Sequence, residues 1–361
     1  MLNNLTIQSH KGPYEVNFCQ GPISSVTSLL SGEVHFLIDS NVAKIYKVEL
    51  DEILNNNNTI VIKATEANKS IERIIPIIEQ LVENKIRRSH RLVAIGGGII
   101  QDITCFIASS ILRGVQWSLI PTTLLSQADS CIGSKSSINL GHVKNILGTF
   151  NPPKEIYIYP DFLKTLQNKE IQSGVGEIVK VHVIDGVDSF NKLSKSFEML
   201  FENPTVLLKY IQSALIIKKR YIEEDEFDVG IRNIFNYGHS FGHAIESTTN
   251  YKIPHGIAVT IGMDLANYIS MKREFISKTN YQRMQIILRK NYIDYLNTPI
   301  SLEGMLAALK KDKKNTSSRL VLILPFGEKV EIKKVEVLAD DNFISQCESF
   351  FQELRNDEIR H

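Results

Sequence analysis

With 361 residues, the chain is long enough for two domains, each with its own core. Its 41 Lys+Arg against 40 Asp+Glu leave a net charge of +1, which gives no footing for nucleic acid or an acidic membrane surface. No apolar run reaches bilayer-spanning length, and the first residues lack the basic-then-apolar layout of a signal peptide. Cys19, Cys105, Cys131 and Cys347 are scattered without a CxxC pair, so they read as reduced thiols of a cytoplasmic protein.

In chain order, residues 5–7 and 14–18 alternate around Gly12-Pro13 and predict an antiparallel start. The pattern then becomes strand, loop, helix, repeated. Strands are expected at 34–38, 59–63, 92–95, 117–120 and 155–159, with helices over 70–85 and from the glycines at 96–98 through 110. Such alternation predicts a largely parallel sheet with helices on its faces. After about residue 160 helical segments dominate, at 170–184, 204–225, 230–249 and 256–273. A hairpin follows, with strands at 319–324 and 329–332, and then a last helix near Arg355. The expected organisation is α/β: a Rossmann-like nucleotide domain over 1–160 and a mostly helical domain over 161–361. The cleft between them is the expected ligand site.

The junction of a strand with Gly96-Gly97-Gly98 and a helix suits a pyrophosphate, because glycines admit close backbone approach and a helix N-terminus offers unpaired N–H groups. The spacing is not G-x-G-x-x-G, so a simple tight turn competes with that reading. Asp102 stands in the first turns of the helix, where it could accept from a ribose hydroxyl. Asp39 and Asn41 close an earlier strand and could reach an adenosine ribose, although an N-cap explains them equally. The segment 127–145 packs Asp129, Lys135, Lys144 and Asn145 among hydroxyls and glycines. It reads as an anion-binding loop, with a solvated surface loop as the competing view. Lys218, Arg232, Asn236 and Lys313 add donors further on. Lys313 lies in a run that would otherwise read as a solvated charge cluster.

His239 and His243 are four residues apart on a predicted helix, a spacing that suits a metal, and His255 follows after Pro254. Glu177 and Lys180 sit at i, i+3 upstream. Singly, each of these is explained as a satisfied histidine or a surface pair. Together, inside glycine-rich segments, they predict a metal site.

Taken in order, Gly96-Gly-Gly-Ile-Ile-Gln-Asp102, residues 121–130, Lys144-Asn145, Gly176-Glu-Ile-Val-Lys180 and Asn236-Tyr-Gly-His-Ser-Phe-Gly-His243 with His255-Gly256 resemble 3-dehydroquinate synthase and the sugar phosphate cyclases around it. The resemblance spans residues 39–324. It implies a carbon–oxygen lyase of the shikimate pathway that turns an open-chain seven-carbon sugar acid phosphate into a carbocycle and phosphate. NAD would act as a catalyst with no net redox change, alongside zinc or another divalent ion such as cobalt. The implied metal ligands are Glu177, His239 and His255, with His243 acting in proton transfer and phosphate contact instead. The implied phosphate pocket is Lys135, Asn145, His243 and Lys313, with Arg113 entering from the second subunit of a homodimer. Lys218, Arg232 and Asn236 would hold the carboxylate and nearby oxygens; Asp129 and Lys180 would contact sugar hydroxyls; Asp228 would be an acid–base group. NAD would meet Asp39, Asn41, Glu66, Lys69, Gly97, Gly98, Ile99, Asp102, Thr122, Thr123, Lys144, Phe162 and Thr165. The sequence departs from the usual pattern at Gln101, Ser134, Ser136, Ser137, Gly176 and Ile257. Secondary-metabolic cyclases of an amino-substituted acid or of sedoheptulose 7-phosphate, and metal-dependent polyol or glycerol-phosphate dehydrogenases, are the alternatives.

Overall fold

The protein is described from a computed structural model, which covers residues 3–21, 23–29, 32–141, 143–311 and 319–358. It divides into two compact units. The first comprises Met1–Leu166 with Ile211–Asp228, the second Gln167–Tyr210 with Val229–His361. The helix Pro204–Glu224 therefore begins in the second unit and ends in the first.

The first unit is built on a sheet formed by β1 (Leu5–Ile7), β2 (Tyr14–Phe18), β3 (Val34–Asp39), β4 (Thr59–Ile62), β5 (Arg91–Gly96), β6 (Gln116–Pro121) and, after the intervening hairpin of β7 (Lys135–Leu140) and β8 (Val143–Phe150), β9 (Glu155–Ile158). The strand order is β1-β2-β9-β6-β5-β3-β4, and every pairing is parallel except β1 with β2. β3, β5 and β6 are buried along nearly their whole length, as the unbroken apolar runs require of strands covered on both faces. The expected antiparallel start and all five parallel strands are present.

Two local expectations are corrected. The segment read as a polar loop over 127–145 contains the Ser126–Ser130 turn and then most of the β7–β8 hairpin. Its alternation is hidden because serine and lysine occupy the strand positions (Lys-Ser-Ser-Ile-Asn-Leu), and hydroxyls and amines weaken the period-two signal. The helix expected over 230–249 is two elements: a 3-10 stretch, Ile231–Asn236, and a helix, His239–Thr248. Gly238 parts them in a left-handed conformation (φ 78°). The late hairpin, β10 (Arg319–Phe326) with β11 (Glu331–Leu338), is longer than expected and turns at 327–330.

The second unit is organised around the helix His255–Lys272, in which every residue from Gly256 to Ser270 is buried. A helix buried all round must pair its polar groups internally. Asn291 donates to Thr260 Oγ1 (3.1 Å), Tyr292 donates to Asp264 (2.5 Å), and Tyr237 donates to Asn267 (2.5 Å). Ile257, a departure from the usual pattern, is one of these core residues at 0 % exposure.

Neighbouring backbones approach this helix at glycines. A Cβ on Gly256 would lie 1.9 Å from the Ser173 carbonyl oxygen, and one on Gly176 would lie 2.4 Å from that of Gly256. A Cβ on Gly262 would lie 2.2 Å from the Gly238 carbonyl oxygen. Gly176, where alanine is usual in the pattern, therefore sits at a contact with no room for a methyl group. Gly256→Ala is expected to destabilise the fold by about 3 kcal/mol, at the upper end of overpacking costs. Gly242→Ala, whose Cβ would meet Val259 at 3.0 Å, is expected to cost less. Chemical denaturation of the two variants checks the order; equal stability to the parent at Gly256 contradicts the close approach.

Candidate active site

In the first unit the predicted cofactor residues collect at the carboxyl ends of adjacent strands. Asp39 ends β3, Glu66 follows β4, Gly97 and Gly98 follow β5, and Thr122 and Thr123 follow β6. Gly97 is the extended N-cap of the helix Gly98–Ser110, and a Cβ there would press on Thr123 Cγ2 at 3.0 Å. A Cβ on Gly98 would meet only Ser130 Oγ at 3.9 Å, so the backbone at this helix N-terminus is open to a phosphate. Ile99, next along, is half-buried. The cradle fits the pyrophosphate of a dinucleotide.

A polar network supports this edge. Lys69 Nζ bonds Asp102 Oδ2 (3.1 Å) and Asn145 Oδ1 (2.9 Å), and the Ser137 N–H reaches Asp102 Oδ1 (3.3 Å). Burial pushes the Asp102 pKa up, with Lys69 acting against it. Asn139 Nδ2 donates to Glu66 Oε1 (2.9 Å), and Lys144 Nζ lies 3.8 Å from the same oxygen. Asp39 takes the competing role considered from sequence: its Oδ1 accepts from the Asn41 N–H at 2.9 Å as an N-cap. Phe162 is a core residue at 1 % exposure, edge-on to Tyr46, and the Tyr46 hydroxyl bonds Thr165 Oγ1 (2.8 Å). Both residues thus have packing duties that sequence reading did not assign.

Four further candidates of this unit pair among themselves. Lys218 Nζ lies 2.7 Å from Asp129 Oδ1 as an ion pair and donates to the Asp129 carbonyl (2.6 Å). Lys135 Nζ contacts Asp228 Oδ2. Gln101, another departure, is buried and clasps Ser130: its Nε2 donates to the Ser130 carbonyl (2.6 Å) and its Oε1 accepts from Ser130 Oγ (3.1 Å). The change at 101 ties the glycine-led helix to the turn carrying Asp129. Ser134 and Ser136 are buried in the hairpin segment. Arg113 is exposed at the end of a short stretch in which Leu112, Arg113 and Gly114 all have positive φ.

The second unit gathers the predicted metal ligands. Glu177, on the helix Asn168–Asp185, is 1 % exposed, and its Oε1 has no hydrogen-bond partner. That oxygen faces His255 Nε2 at 3.4 Å and His239 Nε2 at 3.7 Å. Tetrahedral zinc with bonds of about 2.0–2.1 Å places its ligand atoms about 3.3 Å apart, so these three are spaced to receive a divalent ion. Lys180 Nζ, also buried, lies 2.5 Å from Glu177 Oε2. Both histidines are oriented from behind. The Tyr237 carbonyl lies 3.2 Å from His239 Nδ1, and Glu246 Oε2 lies 3.0 Å from His255 Nδ1. Such partners leave Nε2 directed at the site. The role of Glu246 was missed from sequence, although its place seven residues after His239, on the same helical face, was the available signal.

His239, His243 and His255 also bring their ring nitrogens within 4.8 Å of one another, so a three-imidazole set competes with the one containing Glu177. We favour Glu177, because a buried carboxylate oxygen without a donor calls for a cation, whereas His243 is exposed. Electrostatics favour ligation at Glu177 and His239, and set a proton against the ion at His255. Burial opposes ionisation of Glu177, but Lys180 and then the imidazoles outweigh it and hold the carboxyl well below the usual range. Burial and Lys180 push His239 well below its ordinary value, leaving it neutral as a ligand requires. Burial also disfavours protonated His255, yet Glu177 and Glu246 overcome that and raise it to about 10. Arg232 is buried, and Asn236 Nδ2 bonds the Asn233 carbonyl (3.1 Å). Lys313 lies outside the described residues.

A parallel-sheet unit with a glycine-led helix at its carboxyl edge, followed by a helical unit presenting a carboxylate and imidazoles, is the arrangement expected of a sugar phosphate cyclase. Among solved structures, the chain is similar to 2-epi-5-epi-valiolone synthase from Streptomyces hygroscopicus subsp. jinggangensis 5008, solved with NAD+ and Zn2+ (TM-score 0.82, 25% identity, 95% of this chain and 97% of that one). Its fold also matches 2-deoxy-scyllo-inosose synthase complexed with carbaglucose-6-phosphate, NAD+ and Co2+ (TM-score 0.83, 21% identity, 97% and 100%). Glycerol dehydrogenase from Schizosaccharomyces pombe is more distant (TM-score 0.61, 15% identity, 98% and 92%). Residues 59–173 match the 3-dehydroquinate synthase N-terminal family, and residues 174–315 match its C-terminal counterpart. The 3-dehydroquinate synthase of Alkaliphilus metalliredigens (strain QYMF) is 33% identical over 333 residues, covering 91% of this chain and 94% of the relative. That of Dictyoglomus thermophilum is 38% identical over 296 residues, 81% of each. The chain belongs to the 3-dehydroquinate synthase family.

Two measurements check the metal site. Glu246→Gln is expected to weaken zinc binding about 10–100-fold by loosening His255, measured by competition with a chromophoric chelator. Because His255 carries a proton at neutral pH in the metal-free protein, an entering ion must displace it. Cobalt affinity should therefore rise about tenfold per pH unit from pH 6 to 8; a flat profile contradicts the assignment of His255 as a ligand.

Proposed function

We propose that the chain converts 3-deoxy-D-arabino-heptulosonate 7-phosphate to 3-dehydroquinate and phosphate, in the cytoplasm, as a homodimer. The observation that carries this reading is the buried Glu177 Oε1, without a hydrogen-bond partner, facing His239 and His255 at ligand spacing. Bound NAD would supply a reversible hydride acceptor and zinc, or another divalent ion such as cobalt, a Lewis acid that polarises the reacting hydroxyl and ketone.

The chain's own residues then have distinct tasks. Glu177, His239 and His255 hold the ion, while Gly97, Gly98 and the following helix N-terminus cradle the dinucleotide. Lys135 and Asn145, in the first unit, supply donors for a phosphate, and Asp129 and Lys218 form a second polar pair for sugar oxygens. Exposed His243 stands outside the ligand set and serves as a proton carrier. Lys180, held against Glu177, contacts a substrate hydroxyl. Arg232, with Asn236, binds the substrate carboxylate, whose two oxygens match the planar fork of a guanidinium. Asp228 acts as an acid–base group. Exposed Arg113 reaches the site of the second subunit.

Incubation with NAD, zinc and the heptulosonate phosphate should release phosphate and the cyclic product without accumulating NADH. Accumulation of NADH would instead indicate a dehydrogenase, and turnover of sedoheptulose 7-phosphate alone a secondary-metabolic cyclase. Arg232→Ala is expected to lower kcat/KM about a hundredfold, the loss of ~2–3 kcal/mol from a charged hydrogen bond. Unchanged kinetics would refute carboxylate recognition at that residue.

A further inference from the structure

The N-terminal hairpin, which precedes the family-matched stretch, makes a set of contacts that the proposed reaction does not use. Glu226 accepts from Ser9 Oγ (2.6 Å), from the His10 backbone N–H (2.8 Å) and from His10 Nδ1 (2.9 Å). Nearby, the Gln8 N–H donates to Glu223 Oε1 at 2.8 Å. The next residue, Phe227, has its ring 5.2 Å from the His10 ring and 4.9 Å from the Phe150 ring. The residue after that, Asp228, contacts Lys135 Nζ. Phe150 and Lys135 are direct partners across the β7–β8 ladder.

Three consecutive residues are therefore each held, Glu226 by Ser9 and His10, Phe227 by His10 and Phe150, and Asp228 by Lys135, and all of these contacts lie within the first unit. Asp228 has φ 58°, a left-handed conformation unusual for a side-chain-bearing residue. Such a backbone persists where its surroundings over-determine it. The bonds at Glu226 and the ring contacts at Phe227 supply that constraint on the residue just before it.

We propose that Ser9 and His10 act as a strap that positions Asp228, and with it the ammonium of Lys135, for the phosphate-bearing substrate. Ser9, His10 and Glu226 touch no reacting atom; they are positioning residues acting through Asp228. This inference rests on the proposed reaction, because Asp228 and Lys135 have their roles only there. Free of its bonds, the 225–230 loop would relax from the left-handed conformation, and Asp228 would leave Lys135.

The test is a set of variants of the full chain loaded with NAD and zinc. Ser9→Ala combined with His10→Ala is expected to lower kcat/KM about tenfold, with zinc content, NAD affinity and Tm unchanged. A Ser9→Thr variant, which keeps the hydroxyl, should retain activity. In an Asp228→Ala background the Ser9 and His10 substitutions should cause no further loss, because the strap acts only through that carboxylate. Full activity in the doubly substituted strap would overturn the proposal, as would a loss that adds undiminished in the Asp228→Ala background. Absence of turnover in the parent protein would instead sink the underlying reaction assignment.

Discussion

Backbone contact between helices at glycine is the constraint on which the helical unit depends. Each implied metal ligand is the chain neighbour of a glycine at such a contact: Glu177 follows Gly176, His239 follows Gly238, and His255 precedes Gly256. The Gly176–Gly256 approach brings two helices together one residue away from Glu177 and His255. The Gly238–Gly262 approach does the same beside His239. A methyl group at any of these positions would meet a carbonyl oxygen at 2.6 Å or less. The short reach of a carboxylate and two imidazoles toward one point follows from backbones that can touch.

The electrostatics of the cluster follow from the same packing. Drawing Glu177 into the interior removes its water, and a carboxylate in that position requires positive charge. Lys180 supplies part of it from the same helix, and Oε1 is left facing two imidazoles. Glu246 and the Tyr237 carbonyl then turn those rings so that the distal nitrogens share one space. In the first unit the logic differs. There, parallel strands deliver Asp39, Glu66, Gly97 and Thr122 to one edge, and charged pairs such as Lys69–Asp102 and Lys218–Asp129 hold the loops between them.

Much of this was legible in the sequence. Apolar runs gave the parallel strands, most plainly β5 and β6, which end in glycine and proline and whose burial on both faces leaves a simple signature. Spacing marked His239, His243 and His255 as a metal cluster, and the family resemblance implied Glu177 in place of His243. What stayed hidden depends on tertiary contact. The β7–β8 hairpin carries serines where a strand usually shows branched apolar residues, so its alternation was lost. The break at Gly238 is invisible to helical periodicity, which runs through it. Phe162 as core beneath Tyr46, and Gln101 as a clasp on Ser130, each needed a partner distant in sequence. Gly176 read as a departure from a pattern, yet it occupies a contact with no room for alanine.

The central claim is that one divalent ion is held by the Glu177 carboxylate with His239 and His255. X-ray absorption at the zinc edge of the loaded protein tests it most directly. Two imidazoles with oxygen completing the shell, unchanged in His243→Ala, is the predicted result. Three imidazoles, falling to two in that variant, would contradict it.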